Sequence, residues 1–152
     1  MTTEALLSYA HLLAIFTLIV FIASEAALCR PEWMNAAVVQ RLVTVDRVYG
    51  IAAVAVLATG LARIYPGVKG PGWYWSNWLL HAKIGAFVVV ALISIAPTLR
   101  FGRWRKRLAA TGELPSEQEV RGARKLVMLQ AHIIPLIPLA AVFLARGFGG
   151  KG

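Results

Sequence analysis

The chain has 152 residues, of which 59% are hydrophobic and 15% charged, and its formal net charge is +9. Soluble domains carry about 25% charged residues, so this composition excludes an ordinary soluble globular protein. A single cysteine, Cys29, excludes an intrachain disulfide.

Four long apolar segments cover residues 5–28, 48–65, 78–99 and 126–145. Each is close to the ~20 residues that a helix needs to cross ~30 Å of hydrocarbon. Hydrocarbon offers no hydrogen-bond partners, so only helices or closed barrels span it. These segments are continuously apolar rather than alternating. We therefore predict an all-α integral membrane four-helix bundle that forms one domain over residues 1–152.

The first apolar segment also resembles a signal peptide in its position. No Lys or Arg precedes Arg30, however, and the segment ends without an A-x-A cleavage pattern. Its length also exceeds that of a typical signal-peptide apolar region. We interpret it as the first membrane span.

Basic residues are unequally shared between the two sides of the predicted bundle. The loops after the first and third segments hold three and eight of them, against four on the opposite side. By the positive-inside rule both basic loops are cytoplasmic and both termini lie outside, as in a multi-pass protein of the bacterial inner (plasma) membrane. Such charge predicts contact with anionic lipids at the cytoplasmic face, and we expect no nucleic-acid partner. The four residues on the opposite side are Arg63, Lys69, Arg146 and Lys151.

The long basic loop between the third and fourth segments predicts a cytoplasmic helical hairpin. Gly112 and Pro115 break the extension of the third helix. Ser116 and Glu119 then have the spacing of a capping box that opens the next helix.

Small residues and prolines modify two of the spans. Gly50 and Gly60 allow the second helix to approach its neighbours closely, which is compatible with a homodimer. Pro135 and Pro138 predict a kink in the fourth helix.

Ionisable side chains inside the spans form two predicted layers. Such residues are costly in lipid and indicate function by default. His11 and Glu25 are 14 residues apart, about four turns, so they share one helix face. The outer layer contains His11, Arg63, His81 and Lys83, and the inner layer contains Glu25, Asp46, Tyr49 and His132.

The outer layer suggests a cofactor site. His81 and Lys83 are two residues apart and point to nearly opposite faces, so one of them faces the centre. A buried neutral lysine offers a lone pair, as a neutral imidazole does. His11 and Lys83 are thus candidate axial ligands of a haem iron, with His81 as the alternative to Lys83 and Arg63 as a propionate partner. Helix–helix hydrogen bonding and snorkelling of Lys83 remain open alternatives.

Part of this pattern resembles a known enzyme family. His11 in the first helix, the sequence Arg47-Val48-Tyr49, and the stretch Trp78-Leu79-Leu80-His81-Ala82-Lys83 are similar to the HemJ type of bacterial protoporphyrinogen IX oxidase. The resemblance covers about the first hundred residues. It implies a membrane oxidoreductase that binds haem b through His11 and Lys83.

A second resemblance covers nearly the whole chain. It is to a family of small bacterial four-helix membrane proteins, a domain of unknown function. The segments that carry it are Ser24-Glu25-Ala26, Val48-Tyr49-Gly50-Ile51-Ala52, Gly60-Leu61-Ala62-Arg63, residues 94–101 and residues 134–147.

These patterns favour a haem-b-binding membrane protein of redox type. Its chemistry would be electron transfer, or oxidation of a porphyrinogen-like or quinol substrate. One alternative is a non-enzymatic membrane scaffold or accessory subunit. Another is a proton or metal-ion path that runs from Glu25 through His132 to His11.

The predicted orientation is tested by labelling introduced cysteines in intact cells. Cysteines at Gly67 and Gly150 should react from outside, and one at Gly112 should react after permeabilisation. Labelling of position 112 in intact cells would overturn the orientation.

Overall fold

A computed structural model describes residues 1–66 and 70–148. The labelling positions Gly67 and Gly150, and the basic residues Lys69 and Lys151, lie outside this part of the chain. The described residues form six α-helices and one short 3-10 helix (Pro31–Trp33). The α-helices are α1 (Thr2–Leu28), α2 (Ala36–Ala62), α3 (Pro71–Ser76), α4 (Trp78–Thr111), α5 (Glu117–Ile133) and α6 (Leu136–Ala145).

The chain is an all-helical, multi-pass membrane protein. Four helical stretches are long and apolar enough to cross a bilayer: α1, α2, α4, and α5 together with α6. Large apolar side chains such as Phe16, Val54 and Leu92 are more than half exposed on their outer faces. Lipid solvates such side chains, so their exposure costs nothing in a bilayer.

The second helix is longer than predicted. It begins at Ala36, where the Asn35 side chain accepts a hydrogen bond from the Val38 amide at 2.9 Å. The prediction of a loop over residues 30–47 is therefore wrong for most of its length. Asn is a preferred N-cap residue, and Arg41 and Arg47 lie on the exposed side of the helix. At the other end α2 stops at Ala62, and Arg63 is its C-cap.

The helical hairpin between α4 and α5 follows the predicted turn signals. α4 ends at Thr111, and Gly112 adopts a left-handed conformation with φ 72°. Ser116 and Glu119 form the predicted capping box. Glu119 also accepts two hydrogen bonds from the Arg107 guanidinium. This pair lies in the polar turns beyond the apolar segments, and its hydrogen bonds, with that from the Ser116 amide, lower the pKa of Glu119 to about 2.

The predicted kink in the fourth span coincides with an interruption of its helical hydrogen bonding, while Ile134 and Pro135 keep right-handed helical backbone angles. α5 ends at Ile133, and α6 begins at Leu136 after Pro135. Proline has no amide hydrogen and its ring clashes with the preceding turn, which explains why the helix ends here.

Two buried stripes organise the core. The buried positions of α1 are His11, Ala14, Leu18, Ile22 and Glu25, at spacings of three and four residues. This confirms that His11 and Glu25 lie on one helix face. α1 packs most extensively on α2, while α4 joins α2 to the α5–α6 unit. α2 follows the same spacing with Leu42, Asp46, Tyr49, Ala52 and Val56.

Candidate functional site: two polar layers inside the bundle

The outer layer is centred on His11 of α1. Its side chain is 6% exposed, and its Nδ1 atom lies 2.7 Å from the Thr59 hydroxyl of α2. The ring lies against Gly60, where an added Cβ atom would come within 3.1 Å of the His11 Cε1 atom. Gly60 is thus a close-approach position that lets the imidazole lie against the α2 backbone.

Hydrogen bonding fixes the tautomer of His11. The Thr59 Oγ1 atom lies 2.6 Å from the Ala55 carbonyl oxygen, a contact between two oxygens that requires the hydroxyl proton between them. The hydroxyl oxygen therefore accepts the proton that His11 carries on Nδ1. The Nε2 atom of this neutral ring then keeps its lone pair. Metal-ligating histidines are commonly oriented in this manner by a second hydrogen bond.

Lys83 of α4 shares two cavities with His11. The inner one has a volume of about 70 Å³ and is otherwise walled by apolar side chains of α1, α2, α4 and α6. The outer one, of about 120 Å³, also reaches Glu4 and Arg63. Among the described residues, the Lys83 ammonium makes no ion pair and no hydrogen bond. The structure thus places three of the four predicted outer residues, His11, Arg63 and Lys83, around one space.

His81 lies apart from that space. Its side chain is exposed, and its Nε2 atom lies 2.7 Å from the Trp75 carbonyl oxygen of α3. It lines neither of the two cavities. A role for His81 as a partner of His11 would require rotation of the start of α4.

Both cavities of the outer layer are small for haem, the predicted cofactor. A ligand of drug size fills a pocket of roughly 300–1,000 Å³, and haem is at least that large. The cavity between His11 and Lys83 holds about 70 Å³. The side-chain nitrogen atoms of His11 and Lys83 are suitable ligands for iron. Haem itself, however, does not fit between the helices as they are packed. Within the described residues, no three His, Cys, Asp or Glu side chains are grouped to hold a metal ion.

The inner layer is built around Glu25 of α1. Its side chain is 1% exposed, and neither carboxyl oxygen has a donor partner within the described chain. The carboxyl of Asp46 in α2, 7% exposed, is the acidic group that interacts with it. The Thr98 side chain of α4 also interacts with Asp46. Two acidic side chains from different helices therefore meet in the apolar core.

A second polar contact lies beside the acidic pair. The Tyr49 hydroxyl donates to the Gln130 Oε1 atom of α5 at 2.9 Å. Gln130 was missed in the sequence, although it continues the buried series Val120, Ala123 and Val127 at spacings of three and four residues. His132, two residues further, is exposed and bonds the Met128 carbonyl of its own helix. His132 was predicted to belong to the inner layer, and this prediction is wrong. Gln130 is the residue of α5 that lies there.

Apolar packing separates the two layers. His11 and Glu25 are 14 residues apart, roughly 21 Å along the axis of α1. Leu18 and Ile22, each 3% exposed, fill the stripe between them, and Val56 of α2 packs at the same level. The predicted path from Glu25 through His132 to His11 is thus interrupted at His132 and along this stripe.

Comparison with known proteins identifies one family. The family model described as a predicted membrane protein (DUF2214) matches residues 3–149 of the chain. No curated protein and no solved structure matches the chain. The predicted similarity to a membrane family without an assigned activity is confirmed. The resemblance to HemJ-type oxidases gains no support, and haem binding stays a prediction.

Gly60→Ala should disturb the outer layer, because the new methyl group would meet the His11 ring at 3.1 Å. We expect changed imidazole signals in ¹⁵N NMR spectra and a lower unfolding temperature in detergent. The matched control is Gly50→Ala in the same helix, where a Cβ atom meets nothing within 4 Å. Alanine is the better helix former there by about 1 kcal/mol. Equal effects of the two substitutions would contradict the close contact at Gly60.

Proposed function

The chain belongs to the DUF2214 family of predicted membrane proteins, and from its inner polar layer we propose that it binds and releases a proton within the bilayer. The proton site is the carboxyl pair of Glu25 and Asp46. One observation carries this proposal: the Glu25 side chain is 1% exposed with no donor for its carboxyl within the described residues, and Asp46 of the neighbouring helix is the acidic group that interacts with it.

Hydrogen-bond chemistry supports a shared proton. An ionised carboxylate accepts hydrogen bonds and donates none, so two ionised carboxylates in contact repel each other. When one of them is protonated, its hydroxyl donates to the other, and the pair carries one charge instead of two. Paired carboxyl groups that share one proton are a recurrent arrangement in catalytic sites. Within a membrane protein, such buried acids mark proton relays.

The position of the pair supports exchange with one side of the membrane. Glu25 lies one turn before α1 ends at Leu28. Beside it, the Arg124 guanidinium of α5 donates to the carbonyl oxygens of Ala26 and Cys29 at this helix end. These bonds anchor α5 to the end of α1, so a small movement of α5 changes access to the pair. By the distribution of basic residues, this end faces the cytoplasm of a bacterial cell.

The separation of the two layers supports a gated rather than an open path. Leu18, Ile22 and Val56 leave no polar group over most of the distance to His11. A proton crosses this barrier only when the helices move or water enters. The proposed activity is therefore proton uptake coupled to a conformational change, and the break at Pro135 is where the fourth span bends.

Proteoliposomes test this activity. A potassium diffusion potential drives proton movement, and a pH-sensitive dye inside the vesicles reports it. The internal pH should change faster in vesicles that contain the wild-type protein than in protein-free vesicles. Glu25→Gln should return the rate to that of protein-free vesicles, because an amide does not ionise and so releases no proton. Asp46→Asn should slow the movement, because its amide oxygen can accept a hydrogen bond but cannot take up the shared proton.

Glu32→Gln is the matched control for these variants. Glu32 is exposed in the 3-10 helix Pro31–Trp33, so its loss removes one carboxyl from the same end of the bundle. Proton movement in vesicles that contain the Glu32→Gln variant should be as fast as in wild-type vesicles. A wild-type rate in Glu25→Gln vesicles, with the variant folded by circular dichroism, would refute the proposal. If the wild type moves no protons, the membrane-scaffold alternative takes its place.

A redox protein that binds haem b is the second candidate function. The observation that favours it is the His11 ring, whose Nδ1 atom lies 2.7 Å from the Thr59 hydroxyl, on a cavity that Lys83 also lines. Haem supplies electron transfer when it is bound. In this chain, His11 and Lys83 would hold the iron and Arg63 the propionates, after the surrounding helices had moved apart.

An absorption spectrum of protein purified from haem-replete cells tests this second candidate. The haem hypothesis predicts a Soret band that His11→Ala abolishes and that His81→Ala leaves in place. Absence of the band in the wild-type protein would end the haem hypothesis. That outcome would leave the proton-binding proposal unchanged, since the two sites are separate.

A further inference from the structure

A broad basic groove lies at the hairpin end of the bundle, outside both polar layers. It is formed between the last turns of α4 and the first turns of α5 and has a volume of about 1,180 Å³. Its floor contains Trp104, which is 3% exposed. Its walls carry five cationic side chains: Arg100, Arg103, Arg107, Arg121 and Lys125.

Both carboxylates in this groove are already paired. Glu119 pairs with Arg107 at 2.7 Å, and Glu117 pairs with Arg121 four residues later in the same helix. Within the described chain, Arg100, Arg103 and Lys125 form no ion pair and no side-chain hydrogen bond. Three positive charges therefore converge on one groove without an anion to balance them.

One of these cations is positioned by the backbone of the opposite helix. A Cβ atom added at Gly122 would lie 3.0 Å from the Nη1 atom of Arg100. The guanidinium therefore lies against the Gly122 backbone, where a larger residue would make it shift by a few tenths of an ångström. This contact places Arg100 across the groove, and its N–H donors are left for a ligand. Guanidinium groups of this kind recognise phosphate by two parallel hydrogen bonds.

The position of the groove identifies the ligand. Arg100 follows the apolar segment 78–99 directly, and Lys125 directly precedes the segment 126–145. Both therefore lie at the boundary between hydrocarbon and the head-group region. A phosphate at this depth is attached to a lipid. We propose that the groove binds the phosphate head group of an anionic lipid, with Arg100 as its principal contact.

Native mass spectrometry of the detergent-solubilised protein tests this site. With equal amounts of phosphatidylglycerol and phosphatidylcholine, the wild-type protein should retain the former preferentially. Arg100→Gln should lower that preference about tenfold or more, the effect expected when a charge-assisted hydrogen bond to a phosphate is lost. Gly122→Ala should lower it less, because the methyl group shifts the Arg100 guanidinium by only a few tenths of an ångström and leaves the charge unchanged.

Arg105→Gln is the matched control, since Arg105 lies on the same helix but does not line the groove. It removes the same charge and should leave the lipid preference at the wild-type level. Equal losses in the Arg100 and Arg105 variants would show diffuse surface attraction and overturn the site. Wild-type preference in Arg100→Gln would overturn the role of Arg100.

Inorganic phosphate separates the two possible sources of the ligand. If the groove selects a lipid, ³¹P line widths of inorganic phosphate should not change on adding lipid-free protein. Broadening that Arg100→Gln removes and Arg105→Gln retains would assign the groove to a free phosphorylated molecule. That result would overturn the proposal of a lipid ligand.

Discussion

Hydrocarbon supplies neither hydrogen bonds nor charge screening, and this constraint governs the position of every polar group in the four spans. Polar side chains on the lipid-facing surface would have no partner, so those in the spans lie on the two buried stripes or bond their own helix. The hydroxyls of Thr17, Ser24 and Thr44 illustrate the second solution, because each donates to the carbonyl four residues earlier. Two side chains lack such a partner within the described residues: Lys83 of α4 lies on neither stripe and makes no bond, and Glu25 lies on a buried stripe with no donor for its carboxyl. A group placed at such cost is the strongest indication of function in this molecule.

The two polar layers and the basic groove divide the bundle into three chemically distinct levels. At one end, His11 and Lys83 border a small apolar cavity with Arg63 at its mouth. One turn from the other end of α1, the acidic pair lies under the anchor that Arg124 makes to that helix. Beyond it, the hairpin presents unpaired cations at the membrane boundary. A lipid held in the groove would brace α4 against α5, the helix that Arg124 anchors to the end of α1 beside the acidic pair. Binding of an anionic lipid and exchange of a proton would then act on the same element.

The sequence predicted the parts of this arrangement that depend on local signals. Length and hydropathy located the spans, the 14-residue spacing placed His11 and Glu25 on one face, and the Ser116 capping box located the start of α5. The start of α2 was missed because three arginines suggested a loop, whereas Asn35 caps a helix that carries two of them on its surface. Gln130 was missed in favour of His132 because titratable residues were given more weight than helix phase. Contacts between helices, such as that of Arg100 with Gly122, depend on tertiary packing and have no local signal.

The account depends most directly on whether Glu25 and Asp46 share a proton. Infrared spectra of the reconstituted protein at neutral pH measure this, because a protonated carboxyl group has a C=O stretch that an ionised carboxylate lacks. We expect one buried carboxyl band that exchanges slowly in deuterated water and that disappears in Glu25→Gln. Spectra of the wild-type protein that contain ionised carboxylate bands alone would contradict a shared proton and, with it, the proposed function.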